Sequence, residues 1–331
     1  MPPQASPEED ALIARLAGLL PAAHRTRLGI GDDAAVIEGL GGDLLLITTD
    51  LLMEDVHFRL SWGGLAQLGW KALAQNLSDI AAMGGTPTHA VIALGLSPRV
   101  GADGAAELYR GISELAAQSG VDVVGGDTIR SSGPLTLGVT VLGRVAASEL
   151  LTRGGGRPGD ALFVTGVLGA AAAGVRLLDS NRPVPEPLRP ALLAQLQPQP
   201  RLAAARALAT AGCVTAMMDL SDGIATDLHR LCRMSGAGAV VERDRLPVAP
   251  VVSAACAWLA KGGAHGDPLE LALCGGEDFE LLLAAPLAAE DALRARVAPL
   301  PLTRIGALTA SPELLLRDAH TTPLPWGFTH F

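Results

Sequence analysis

The chain of 331 residues has few lysines and few aromatic side chains. Lys71 and Lys261 are its two lysines, aromatic residues make up 3% of the sequence, and the formal net charge is −9. Surfaces that bind nucleic acid or anionic membranes are rich in Lys and Arg, so this balance argues against both partners. With 49% hydrophobic residues and so few rings, we expect cores of Ala, Leu and Val, and the length suggests about two domains.

Cysteine pairs and long apolar runs are also missing from the sequence. The four cysteines are widely spaced and form no C-x-x-C pair, which is typical of reduced thiols rather than of a disulfide framework or a zinc site. The N-terminus lacks the pattern of a signal peptide, and no apolar run is long enough to span a membrane. We therefore predict a cytoplasmic protein without a membrane partner.

The common catalytic motifs are absent as well. No G-x-x-x-x-G-K-[ST] segment occurs, and neither lysine stands in a glycine-rich turn, which excludes a P-loop nucleotide site. No G-x-G-x-x-G follows a predicted strand, so a dinucleotide fold is not expected. The absence of H-E-x-x-H and G-x-S-x-G argues against zinc proteases and serine hydrolases.

Helical and strand patterns alternate along the chain, which favours an α/β (α+β) fold. We predict helices over 8–20, 65–83, 103–119, 224–235, 250–261 and 290–297. We predict strands over 44–49, 89–96, 121–125, 135–145 and 161–166, in TAMMDLSDG and VVERDRL, as one long strand around ELALCGGEDFELLLAAP, and as two closing strands. A surface link is expected over 181–200. The loop at 146–159 divides the chain into predicted domains 1–147 and 148–331.

Short acidic motifs beside glycines and at predicted strand ends contain the candidate functional residues. They are Gly31-Asp32-Asp33, Thr48-Thr49-Asp50, Asn76-Leu77-Ser78-Asp79, Gly125-Gly126-Asp127-Thr128, Asp219-Leu220-Ser221-Asp222-Gly223 and Gly275-Gly276-Glu277-Asp278. One such motif is usually a turn or a helix cap, but six together indicate ligands for Mg²⁺, which prefers oxygen donors. Asp79 stands within an apolar helix pattern, so if buried it needs a partner or a metal.

These segments resemble the thiamine-monophosphate kinases in order and spacing. The resemblance is carried by GIGDDAAVI, ITTDLLMEDVHF, GWKALAQNLSDIAAMGGTP, GGDT, MDLSDGIATDL and GGEDFELL, and it ends at GFTHF. It implies the two-domain aminoimidazole ribonucleotide synthetase-like fold: an N-terminal domain with a mixed sheet and helices on one face, and a C-terminal α/β domain. It also implies ATP use without a P-loop and a homodimer whose N-terminal sheets meet across a two-fold axis.

The resemblance also assigns roles to residues. Positions that match its metal ligands are Asp33, Thr48, Thr49, Asp50, Asp79, Asp127, Asp219 and Asp222. Positions that match its ATP contacts are Tyr109, Gly126, Asp127, Arg153 and Ser221, and those that match its substrate contacts are His57, Glu277 and Phe328. The implied reaction is ATP-dependent phosphorylation of thiamine monophosphate with several Mg²⁺ ions, with Glu277 suited to the cationic thiazolium ring. Because Asp32 adjoins Asp33, either is a candidate for that ligand position.

Other functions stay open from the residues alone. Within the same fold, aminoimidazole ribonucleotide synthetase is the closest enzymatic alternative. Selenophosphate synthetase is disfavoured because no N-terminal Cys precedes a glycine-rich segment with Lys, and the hydrogenase maturation factor because the chain ends without Cys. A non-catalytic regulator that binds Mg-ATP is the alternative of another class, and it would release no ADP with any acceptor.

Overall fold

The computed structural model describes residues 8–20, 26–39 and 42–325. Its strands form two sheets, one in each half of the chain. The division into domains 1–147 and 148–331 stays a prediction.

The first sheet comes from the N-terminal half and is mixed, as predicted. Its elements are α1 (Glu8–Ala17), β1 (Thr26–Leu28), β2 (Ala35–Glu38), β3 (Asp43–Met53), α2 (Leu65–Ala82), β4 (Thr86–Leu96), α3 (Gly101–Ser119), β5 (Asp122–Arg130) and β6 (Thr136–Ala146). The strands lie in the order β1-β2-β3-β6-β4-β5. β4 and β5 pair in parallel, and the other neighbours pair antiparallel.

The two faces of the first sheet differ in burial. Along β3, Leu44, Leu46 and Leu52 are buried in the core beneath α2 and α3, whereas Thr49 and Leu51 are exposed on the opposite face. This alternation follows from the two-residue period of a strand. The helices therefore cover one face, which we call the helical face, and leave an open face.

The second sheet comes from the C-terminal half. Its elements are β7 (Ala161–Thr165), α4 (Ala170–Asp179), α5 (Arg189–Leu196), α6 (Leu202–Ala209), β8 (Ala216–Asp219), α7 (Ile224–Ser235), β9 (Gly238–Glu242), α8 (Pro250–Ala260), α9 (Pro268–Cys274), β10 (Leu281–Ala285), α10 (Glu290–Val297), β11 (Leu302–Thr309), β12 (Leu314–Arg317) and β13 (Thr321–Pro323). The strand order is β13-β12-β9-β11-β7-β10-β8. Helices cover both faces: Leu162 and Val164 of β7 share a core with α7, and Phe163 shares one with α6 and α10.

Several predicted elements are confirmed and two are wrong. The helices over 224–235 and 290–297 have the predicted bounds. The long strand around ELALCGGEDFELLLAAP is wrong, because α9 occupies its first part and β10 its last. Asp267 accepts a hydrogen bond from the Leu269 amide (3.0 Å) and Pro268 follows it, which starts a helix. The predicted surface link 181–200 contains α5, whose Gln195 is buried.

Two further findings concern location and redox state. Within the described ranges, no helix combines the length and apolar character that crossing a membrane requires. All four cysteines are free.

Helix α2 joins the two halves of the molecule. It covers the helical face of the first sheet, and its Ala81 belongs to a core cluster of the second. Where α2 crosses α3 the backbones nearly touch: a Cβ on Gly69 would stand 2.0 Å from the Leu108 carbonyl oxygen, and one on Gly111 would stand 1.7 Å from that of Ala66. Glycine is required at both positions because either methyl group would force the helices apart.

We predict that Gly111→Ala destabilises the fold. The added methyl group overpacks the crossing, which typically costs about 1–3 kcal/mol, and the thermal midpoint should fall by several degrees. Gly133→Ala is the control, because a Cβ there meets nothing within 4 Å. Thermal denaturation of both variants checks this, and equal midpoints would show that the α2–α3 crossing tolerates a methyl group at position 111.

Candidate active site

A cleft of about 1800 Å³ is lined by residues from both halves of the chain. The β1–β2 turn, β3 and α2 contribute from the first half, and the loops after β8 and α9 contribute from the second. The cleft brings together most of the predicted site residues: Asp33, Thr48, Thr49, Asp50, His57, Arg153, Ser221, Asp222 and Glu277.

Three carboxylates from distant chain positions meet beside this cleft, and one of them, Asp33, lines it. Asp33, Asp79 and Asp219 each offer an oxygen within 4.8 Å of the others. Asp33 lies in the β1–β2 turn, Asp79 is in the last turn of α2, and Asp219 ends β8. The two neighbouring acids repel Asp79, so its carboxylate still requires a partner or a cation.

Hydroxyl groups from neighbouring elements orient two of these acids. Thr48 Oγ1 donates to Asp79 Oδ2 (2.5 Å), and Ser78 Oγ donates to Asp219 Oδ2 (2.6 Å). Thr48 faces inward from β3, whereas Thr49 is on the open face, where its hydroxyl contacts Thr140 Oγ1 at 2.9 Å.

Burial and mutual repulsion raise the pKa values of the clustered acids. Burial, followed by the charge of Asp222, raises the pKa of Asp50 to about 6. Burial, followed by the charges of Asp50, Asp219 and Asp33, raises the pKa of Asp79 well above its usual range. The pKa of Asp219 is raised by burial and then by Asp33. Uncompensated carboxylates in one buried site are costly, so this cluster is suited to cations.

Arg153 supplies one positive charge at the cluster. Its Nε and Nη2 atoms donate to Asp33 Oδ1 at 3.0 and 2.5 Å, and its amide contacts Asp32 Oδ2 at 3.2 Å. Burial lowers the pKa of the Arg153 guanidinium, but the attraction of Asp33 more than reverses this, so the pKa is raised. Asp33 Oδ2 is buried and has no hydrogen-bond partner among the described residues. Arg153 therefore occupies one oxygen of Asp33 and leaves the other available.

A second arginine, which the sequence analysis did not identify, holds Asp222. Arg230 on α7 pairs with Asp222 Oδ2, and its Nη1 is 3.0 Å from Asp227 Oδ1. The other oxygen of Asp227 accepts the Asp222 amide at 3.0 Å. The three-residue spacing of Asp227 and Arg230 on a helix was the available signal, since such residues are neighbours.

The two glycine-containing loops of the second half pack directly against each other. Glu277 donates its amide to the Ser221 carbonyl (2.7 Å), and Phe279 donates to that of Leu220 (2.9 Å). Gly276 is required for this approach, because a Cβ there would stand 2.4 Å from the Ser221 carbonyl oxygen. The loop with Ser221 and Asp222 is thereby fixed to the loop with Glu277.

The predicted substrate contacts lie along another part of the cleft. His57 Nδ1 accepts a hydrogen bond from the Met53 amide at 3.1 Å. The Glu277 carboxylate contacts Lys71 on α2 and Gln195 on α5. Neither Lys71 nor Gln195 was predicted as a site residue from the sequence. Phe328 lies outside the described residues.

Three predicted ATP contacts are not among the described residues that line the cleft. Gly126 and Asp127 are on β5, an exposed strand at the end of the first sheet. Asp127 lines a smaller groove with Leu51 and Gly138. Tyr109 is on α3 and is 37% exposed. Within a single chain, these residues do not join the carboxylate cluster.

Comparison with known proteins identifies the family. Residues 31–145 match the family model "AIR synthase related protein, N-terminal domain", and residues 157–318 match "AIR synthase related protein, C-terminal domain". The thiamine-monophosphate kinase of Rhodopirellula baltica is 35% identical, with 97% of each chain covered. That of Escherichia coli K12 is 36% identical, with 92% of each chain covered.

A solved structure agrees with these matches. The structure described as AaThiL complexed with AMPPCP and TMP superposes with a TM-score of 0.85 and 29% identity, covering 99% of both chains. The predicted aminoimidazole ribonucleotide synthetase-like fold is confirmed by the family models and this superposition. On these matches, the chain belongs to the thiamine-monophosphate kinase family.

Proposed function

We propose that this chain transfers the γ-phosphoryl group of ATP to the phosphate of thiamine monophosphate, releasing thiamine diphosphate and ADP. This is the last step of thiamine diphosphate biosynthesis, and we place it in the cytoplasm. The observation that supports it best is the meeting of Asp33, Asp79 and Asp219, with Asp33 lining a large cleft, in a chain of this family that lacks a P-loop.

The residues at the cluster fit Mg²⁺. Carboxylate and hydroxyl oxygens are the donors that this ion prefers, and Asp33 Oδ2 is buried without a partner among the described residues. The proposed ligands are Asp33, Thr48, Thr49, Asp50, Asp79, Asp219 and Asp222, and Asp127 is proposed as a ligand only in the dimer described below. When bound, Mg²⁺ ions neutralise and align phosphate oxygens.

The side chains of the protein would then position the substrates and would not transfer protons. A phosphate monoester has a second pKa of about 6 and is largely a dianion at neutral pH, so the acceptor needs no general base. Arg153 is beside Asp33 and offers a forked guanidinium to phosphate oxygens. Arg230 offsets the charge of Asp222 and Asp227 and fixes the turn that presents Ser221. We accordingly propose direct in-line transfer.

A homodimer is part of this proposal. β5 ends the first sheet, and Val124 and Ile129 are exposed on it, with Leu51 exposed on the open face of β3. An exposed apolar strand edge is normally covered. Two-fold pairing of the first sheets through β5 would cover it and would make Gly126 and Asp127 part of a shared interface. We propose that these residues and Tyr109 contact ATP only in that assembly.

We predict that the wild-type chain releases ADP with thiamine monophosphate and Mg²⁺, but not with thiamine or without Mg²⁺.

We also predict that Asp50→Asn lowers kcat by at least about 100-fold, because the variant loses a negative charge that would help to hold Mg²⁺ at the phosphate groups. Asp55→Asn is the matched control, because Asp55 is exposed and is five positions away. A coupled assay of ADP release measures both. Unchanged turnover in Asp50→Asn would remove this residue from the mechanism, and absence of ADP with any acceptor would favour a non-catalytic regulator.

We also predict how pH affects the metal-free protein. The pKa of Asp50 is raised from 3.8 to about 6, so the folded state binds more protons than the unfolded state between about pH 4 and 6. The stability contribution of Asp50 is therefore present at low pH and is lost as the pH rises through that window.

In EDTA, the thermal midpoint of wild type should fall between pH 5 and 7.5 by more than that of Asp50→Asn. Added Mg²⁺ should raise the thermal midpoint of wild type more at pH 7.5 than at pH 5, because at pH 7.5 the ion does not compete with protons for Asp50. Identical pH profiles for the two proteins would contradict this assignment.

A separate prediction tests the dimer. Ile129→Asp places a charge on the exposed edge of the first sheet, where Ile129 is 62% exposed, and it should convert a dimer to a monomer in sedimentation velocity. Leu287→Asp is the control, because Leu287 is 51% exposed but belongs to the second half of the chain. A monomeric wild type, or an Ile129→Asp dimer as stable as wild type, would exclude this interface.

A further inference from the structure

Buried polar groups gather around Glu277 at one side of the cleft. Lys71 Nζ is 2.6 Å from Glu277 Oε1, and Gln195 Nε2 is 2.6 Å from Oε2. Lys71 is 3% exposed and Gln195 is 1% exposed. Each oxygen of the carboxylate is therefore held by a side chain from a different helix, α2 or α5.

The charge of Glu277 is offset within the protein. A buried lysine is rare unless it is paired, and here the pair joins α2 to the loop after α9. Glu277 has a backbone φ of +66°, a left-handed conformation that side chains other than glycine seldom adopt. Its fixed position thus depends on its contacts. A carboxylate already paired with Lys71 is a poor counter-ion for a cationic ring, which revises the expectation that Glu277 serves the thiazolium.

Three buried atoms at this place have unmet hydrogen-bonding capacity. Lys71 Nζ has no hydrogen bond of good geometry besides its ion-pair contact, and Gln75 Oε1 and Gln195 Oε1 have no partner among the described residues. Gln75 is one helical turn after Lys71, on the same side of α2. Gln75, Gln195 and Glu277 all line the cleft. Buried polar groups without partners are uncommon and require an explanation.

The chemistry of the unmet groups indicates their ligand. Amide oxygens accept hydrogen bonds, so Gln75 Oε1 and Gln195 Oε1 each require a donor. A planar ring that carries an amino group presents such donors. Thiamine monophosphate carries such a ring, an aminopyrimidine, at the end remote from its phosphate.

We propose that Lys71, Gln75, Gln195 and Glu277 form a polar wall that selects the aminopyrimidine ring of the acceptor. Gln75 and Gln195 contact the ring, and Lys71 is a positioning residue that acts through Glu277. The inference rests on the proposed function, since it assigns specificity for the same acceptor.

The test compares two acceptors in Gln195→Leu and Gln75→Leu. The acceptors are thiamine monophosphate and its analogue with a carbonyl oxygen in place of the pyrimidine amino group. Wild type should prefer thiamine monophosphate in kcat/KM. In each variant, KM for thiamine monophosphate should rise on the order of tenfold, the usual scale for losing a buried hydrogen bond. The preference between the two acceptors should fall toward one, while KM for ATP stays within about twofold.

Gln199→Leu is the matched control, because Gln199 is exposed four positions after Gln195 and should leave both acceptors unaffected. The acceptor ratio separates specificity from stability, since general loss of structure would affect both acceptors and ATP alike. Suppose that wild type uses thiamine monophosphate and that both variants keep the wild-type KM and the wild-type ratio between the two acceptors. The polar wall then does not select the ring, and the proposed function stands. An equal rise in KM for ATP would also overturn it. If wild type does not use thiamine monophosphate, the proposed function fails first, and the polar wall fails with it.

Discussion

The repulsion among buried carboxylates is the constraint on which this site depends. Asp33, Asp79 and Asp219 meet within 4.8 Å, at a cost that no single hydrogen bond offsets. The hydroxyls of Thr48 and Ser78 each orient one acid, while Arg153 and Arg230 bring positive charge to the edges of the cluster. The cluster still lacks positive charge, which divalent cations would supply. An acidic protein with two lysines would therefore attract polyanionic ligands through the Mg²⁺ ions proposed above.

Helix α2 makes this arrangement possible because it belongs to both halves of the molecule. Its last turns place Ser78 and Asp79 at the cluster, and its middle places Lys71 and Gln75 beside Glu277. Close glycine packing against α3 fixes α2 on the first sheet, and Ala81 anchors it to the second core. The groups that we propose for the phosphate end and for the ring end of the acceptor thus share one helix.

The sequence predicted features with a local pattern better than those formed by distant contacts. The bounds of α7 and α10 were predicted from local helical patterns, and Asp79 was a candidate because an acid interrupts an apolar helical pattern. α9 was mistaken for strand because its apolar run is short, although Asp267 and Pro268 gave the signal of a helix start. Gln195 carries no local mark of burial, and its contact with Glu277 arises only when α5 packs beside α2. Gly126, Asp127 and Tyr109 were predicted as ATP contacts, and the dimer proposed above is the arrangement that would bring them to the nucleotide.

The backbone contacts between the Ser221 and Glu277 loops have a consequence for how this site can change over time. Because the Glu277 amide and the Ser221 carbonyl are joined at 2.7 Å, neither loop can shift without displacing the other. Altering the length or course of the Glu277 loop would therefore disturb Asp222 and damage catalysis together with recognition. A side-chain exchange at Gln75, on α2 and outside that joined pair, avoids this penalty, whereas one at Gln195 also removes a hydrogen bond to Glu277. Divergence toward new acceptors is then expected to proceed through helix surfaces, while the loops persist nearly unaltered.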